Sequence, residues 1–141
     1  MSLKKLIKQL NLSYVNSDIT EANFPPQKIA GGLQQLFVID RRMTTQEIEQ
    51  AMDARGLRPA NLYELLTWAM DGWSGKDWVI ALGSGCVRSG RRRVPCLVED
   101  GSRRFLDLGW DAPVSGWSDN YRFLALSKSL GSRSLGTSAL G

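Results

Sequence analysis

The sequence predicts an α+β protein, on three observations. Helix-start signals stand at residues 44–47 and near residue 59, each followed by apolar residues at helical spacing. From Asp71 onward that periodicity stops, and Gly, Trp and Arg become frequent. Short apolar runs at 36–40, 78–82 and 121–126, with strict alternation over 104–111, then read as strands. The chain has 141 residues, 43% apolar and 23% charged, so one packed domain is expected in place of a disordered polymer. The division predicted is an N-terminal helical segment over 1–14, the main domain over 15–127 and a Gly/Ser-rich flexible tail over 128–141, in which SLG recurs.

Residues 3–12 carry Leu3, Leu6, Ile7 and Leu10 on one helical stripe, with Lys4, Lys5 and Lys8 beside them. A short helix packed on its own domain or on a partner subunit is expected, in preference to a membrane-surface anchor. Asn16, Asp18, Pro25, Pro26, Gly31 and Gly32 make residues 14–32 loop, with at most one helical turn at 17–21. Residues 36–40 (LFVID) form a buried strand. Thr44 and Glu47 match a capping box, so a helix should run over 45–54 with Ile48, Ala51 and Met52 inward and Gly56 as its stop. Pro59 suits a first helical turn, placing the next helix at 60–70 with Leu62, Leu65, Leu66 and Ala69 as its apolar face. Trp78 begins a strand, and Cys86 and Cys96 bracket an arginine-rich turn. Those cysteines are expected as two free, partly buried thiols.

Composition narrows the chemistry. There is no histidine, which removes Ser/His/Asp and Cys/His catalysis and the commonest metal ligand. Gly83-Ser84-Gly85 lacks the Lys-Ser/Thr and following helix of a phosphate loop. Glu47, Glu49, Asp53 and Glu64 read as a capped first turn and solvated faces, not as paired catalytic carboxylates. No catalytic residue, cofactor or metal is predicted, and Asp119-Asn120 alone is thin for calcium. The net charge of +4 raises nucleic acid through Arg88, Arg91, Arg92, Arg93, Arg103 and Arg104; a solvated hairpin tip that blunts a sheet edge is the preferred reading. No signal-peptide core or membrane-length run is visible, so a cytoplasmic location is the default, with surface display open.

The stretch 94–127 mixes two kinds of residue. Alternation puts Leu106, Leu108 and Trp110 on one face of a strand and Phe105, Asp107, Gly109 and Asp111 on the other. The first set suits a core; the second has no common property. Residues 111–116 form a loop, Trp117 re-anchors the chain, and Ser118, Asp119 and Asn120 are exposed before the apolar strand begun by Tyr121.

The segments GLRPANLYELL and ALGS…RRRVPCL…RRFLDLGW…GW…NYRFLAL resemble a variable protein of a diversity-generating retroelement, of the archaeal type, over roughly residues 15–127. The resemblance implies a C-type lectin-like fold: two helices flanking a small antiparallel sheet, a long irregular segment that displays the binding surface, and pairing of 36–41 with 123–126. It also implies error-prone copying at template adenines. Mutated AAY codons reach many residue types but not Trp, Met, Lys, Gln or Glu. Trp110 and Trp117 should therefore be fixed, whereas Phe105, Asp107, Gly109, Asp111, Val114, Ser115, Ser118, Asp119 and Asn120 are permitted. The expected function is display of a ligand-binding surface, with these nine as contacts and Leu106, Leu108, Trp110, Trp117 and Tyr121 as their frame. The expected partner is another macromolecule, a protein on another cell or virus.

Overall fold

In the computed structural model residues 2–30, 32–73, 78–111 and 113–128 are described. The tail expected over 129–141 lies outside the described residues. Helix α1 is Leu3–Gln9, opened by the Ser2 hydroxyl, which accepts from the Lys5 N–H at 3.3 Å. Leu3, Leu6 and Leu10 are buried in the same core as Leu62, Leu65 and Leu66, so α1 packs on its own domain. Residues 16–23 form turns in place of a helix.

Helix α2, Thr45–Ala54, has the expected capping box: the Glu47 N–H donates to the Thr44 hydroxyl at 3.2 Å, and the Thr44 N–H donates to the Glu47 carboxylate at 2.8 Å. That backbone hydrogen bond from Thr44 holds the Glu47 carboxyl below its ordinary range. Ile48 and Met52 are fully buried, and Gly56 follows with φ +72°. Pro59 does not open the next helix. It ends the short strand β3, Leu57–Pro59, and α3 is Leu62–Gly72 with Asn61 as its cap and Glu64 closing a second capping box. The ring of Pro59 removes a donor but tolerates the extended backbone of a strand end.

The strands are β1 (Tyr14–Val15), β2 (Gln34–Val38), β3, β4 (Trp78–Ile80), β5 (Cys86–Arg88), β6 (Arg91–Asp100), β7 (Arg103–Trp110) and β8 (Tyr121–Ser127). They form one eight-stranded sheet in the order β1-β7-β6-β4-β8-β2, with β3 added to β8 and β5 to β6. The expected two helices of the main domain are present as α2 and α3, with α1 from the N-terminal segment, but the expectation of a small antiparallel sheet and a long irregular segment is corrected. The sheet is mixed, since β1–β7 and β4–β8 are parallel, and the supposed irregular segment is mostly the long β6–β7 hairpin. Its turn is set by Gly101 at φ +65°, and the alternation seen over 104–111 continues across the pair. The first-with-last pairing holds in a shifted register: Gln34–Val38 lies antiparallel to residues 122–126, with Phe37 opposite Phe123.

The sheet is covered on both faces. One face carries Val79, Leu97, Leu106, Leu124 and Leu126 into the core formed with α1 and α3. The other carries Phe37, Ile80, Val94, Phe123 and Ala125 against Ile48 and Met52 of α2 and against Trp117. No helix among the described residues is long and apolar enough to cross a membrane.

Candidate functional site

α2 packs beside β3, which pairs with β8, and on the same face of β6 and β7 Val98, Phe105, Asp107 and Gly109 stay partly exposed. Register then assembles one row of side chains across five strands. Tyr14 stands opposite Phe105, Phe105 opposite Val98, and Trp78 opposite Tyr121; continuing the β4–β6 register puts Trp78 next to Val98. The neighbouring row is Asp107, Cys96, Ile80 and Phe123. Except for the fully buried Phe123, the two rows line a cleft of about 730 Å³, with Trp117 and Gly109 at one end and Arg103 at the other.

Three predicted contacts thus share one site: Phe105, Asp107 and Gly109. Of the expected frame residues, Leu108, Trp110, Trp117 and Tyr121 line it as well. Trp117 is buried, donates from Nε1 to the Thr45 hydroxyl at 2.9 Å and meets Tyr121 and Phe123 edge to face at 5.3 and 5.8 Å. It is held further by a two-way backbone bridge to Met43. Asp107 is oriented from below: its Oδ1 accepts from Asn16 Nδ2 at 2.9 Å and from the Leu108 N–H at 2.8 Å. The residues not foreseen are Ser13, Tyr14, Trp78, Ile80, Val98 and Cys96. Trp78 and Tyr14 are about half exposed, a signal available only once their strands are placed beside β7 and β8.

Other expectations separate. Val114 and Ser115 line a smaller groove of about 540 Å³ with Arg91, Arg92 and Asp111, and Val114 is almost fully exposed. Ser118, Asp119 and Asn120 form the turn before β8, where the Asn120 N–H donates to the Ser118 hydroxyl at 3.4 Å. Asp111 is not a presented side chain. It accepts from the Thr45 hydroxyl at 2.6 Å and from Arg92 at 3.1 Å, joining the α2 N-terminus to β6. Its charge needs those donors because its side chain is only 12% exposed.

The frame also needs correction at one end. Leu106 is fully buried and Leu108 half-buried against the α1–α3 core, but Trp110 is 43% exposed. It continues the inward face past the end of the core, and guanidinium groups cover it instead: Arg91 at 4.3 Å and Arg93 at 5.6 Å from the ring centroid.

The other arginines are engaged likewise. Arg88 and Arg93 both pair with Asp18, the latter at 2.6 Å, and hydrogen bonding from Arg93 holds the Asp18 carboxyl below its usual range. Arg92 also donates to the Leu82 carbonyl at 2.7 Å. Arg103 lies over Phe105, and Arg104 lies over Trp73 at 4.9 Å with Glu99 3.7 Å away. The basic cluster is therefore knitted into the fold and does not form a bare stripe.

Glu64, read from sequence as part of a solvated face, is fully buried. It receives Arg58 in a fork at 2.9 and 2.6 Å, and the backbone N–H groups of Asn61 and Ala30 at 3.0 and 3.2 Å. It is a structural hub outside the lining of the cleft. Cys86 and Cys96 are free thiols, and burial pushes the Cys96 thiol up to about 12. Register puts Cys86 opposite Arg93, three residues from Cys96 and on the other face of β6. No group of three or more carboxylates and thiols among the described residues could hold a metal ion.

Comparison with protein-family models, with curated proteins and with solved structures returns no match to this chain.

Proposed function

We propose that the protein is a ligand-binding display module, without catalytic function, whose surface is diversified by an archaeal-type retroelement on a C-type lectin-like scaffold. The observation that carries this reading is the cleft: Phe105, Asp107 and Gly109, permitted products of adenine-directed mutation, open into it side by side, while Trp117, an excluded residue type, is bonded into the frame. Val114, Ser115, Ser118, Asp119 and Asn120 extend the presented surface along the neighbouring loop. Strand-borne aromatic residues keep such a site preorganised, which lowers the ordering cost of binding. The partner is a protein on another cell or virus. A nucleic-acid role is disfavoured because Arg88, Arg92, Arg93 and Arg104 already face carboxylates.

The test is to sequence this gene across one population together with its genomic surroundings. Changes should concentrate in the codons for 105, 107, 109, 114, 115 and 118–120, with those for Trp110 and Trp117 constant and a near-repeat and reverse transcriptase gene nearby. Evenly scattered changes, or the absence of both neighbours, would overturn the reading.

A further inference from the structure

The cleft has a more definite chemistry than general stickiness. Trp78 and Tyr121 meet at 5.5 Å with their planes 61° apart, and Tyr121 meets Trp117 at 78°. Rings set at steep angles make a corner, not a pair of parallel plates. A flat aromatic guest gains most between parallel faces; a compact cation gains from several ring faces at once, because each face is negative. The fold shows this preference around the same site. Arg91 and Arg93 sit on Trp110, and Arg103 sits on Phe105 at 5.7 Å. Among the described residues no cation lies over Trp78 or Tyr121.

The floor supplies the counter-charge. Asp107 stands one row from Phe105, and its Oδ1 is engaged by Asn16 and Leu108. No hydrogen bond or ion pair among the described residues reaches its other oxygen. Arg103 lines the far end yet makes no ion pair with it among those residues. Ile80 and Val98 complete an apolar lining suited to a methylene stem.

We propose that this cleft is a cation cage, which takes an ammonium or quaternary ammonium head on an aliphatic stem, as a lysine or methylated lysine side chain of a partner protein presents it. Trp78 and Tyr121 are the walls and Asp107 the counter-ion. The proposal rests on the display reading only for the partner being a protein; the cleft chemistry stands on its own.

The test is a tryptophan-fluorescence titration of the full chain at constant ionic strength with choline, with its neutral isostere 3,3-dimethylbutan-1-ol, and with a methyl glucoside. Choline is expected to give a saturable change and to bind at least tenfold more tightly than the isostere. Asp107→Asn keeps the acceptor oxygen for Asn16 and Leu108, so it should weaken choline by about tenfold while leaving the isostere unchanged. Trp78→Leu, at a half-exposed position, should abolish choline binding with the circular dichroism spectrum intact. Equal affinity for choline and isostere, no saturable choline binding, indifference to Asp107→Asn, or tighter binding of the glucoside would each overturn the proposal. None of these outcomes bears on the codon pattern across a population, so the two readings fail separately.

Discussion

Gly109 faces the ring of Trp117 across the end of the cleft, and a Cβ at position 109 would meet Cη2 of that ring at 3.6 Å. That is ordinary van der Waals contact. Gly109 also has no left-handed backbone angle to protect, unlike Gly116 at φ +75°, whose Cβ would stand 2.7 Å from the Met43 carbonyl. Gly109→Ser should therefore change stability by less than about 1 kcal/mol, and Gly116→Ala should cost about 1–3 kcal/mol. Urea unfolding of the two variants measures the difference. Equal losses would mean that position 109 is not open to substitution.

Removing Glu64 leaves Arg58 and the Asn61 N–H without their acceptor in the interior. Glu64→Ala should destabilise by about 3–5 kcal/mol. Arg58→Met combined with Glu64→Leu should recover part of that loss, since neither charge then remains to be solvated. A double variant no more stable than Glu64→Ala would show that packing, not the unpaired charge, sets the penalty.

Asp18 gathers Arg88 and Arg93 onto one carboxylate, and its folded-state pKa is depressed. A depressed carboxyl stabilises the fold above the unfolded pKa and loses that contribution as pH falls through the lower folded value. Asp18→Asn should thus be less stable than the parent at neutral pH, with the gap closing in acid. Thermal unfolding as a function of pH reads this directly; a gap that is constant with pH would remove the ion pairs from the explanation.

Cys96 is buried and its thiol is pushed up to about 12, so almost no thiolate exists at neutral pH. Under native conditions a disulfide reagent should modify Cys86, which is half-buried, and reach Cys96 only on unfolding. Two thiols reacting at one rate in the native state would contradict this assignment.

The readable parts of the fold were those specified by neighbours in sequence. Thr44 and Glu47 announce α2 because both halves of a capping box lie within four residues. Asn61 and Glu64 carry the same capping-box signal for α3, whereas Pro59 is ambiguous, since proline suits a first helical turn as well as a strand end. Alternation along β7 correctly put Phe105, Asp107 and Gly109 on one face. It could not say how far the core extends under the other, and Trp110 lies past its edge. Glu64 and Asp111 were misread for a related reason. Their partners, Arg58 and Ala30 for one and Thr45 and Arg92 for the other, come from separate strands, a loop and the start of α2, and only the folded chain brings them within bonding distance.

The row from Tyr14 to Tyr121 has a consequence for any repertoire built on this chain. Its members come from positions 14, 105, 98, 78 and 121; under the proposed display function, a retroelement that acts on the 3′ end of a gene would rewrite position 105 but not 14 or 78. Under the display reading, every sibling version would inherit the same aromatic wall opposite a changing one. Such a repertoire is not drawn evenly from all possible surfaces. It is weighted in advance toward targets that suit Trp78 and Tyr14, much as a lock series cut on one blank shares its keyway.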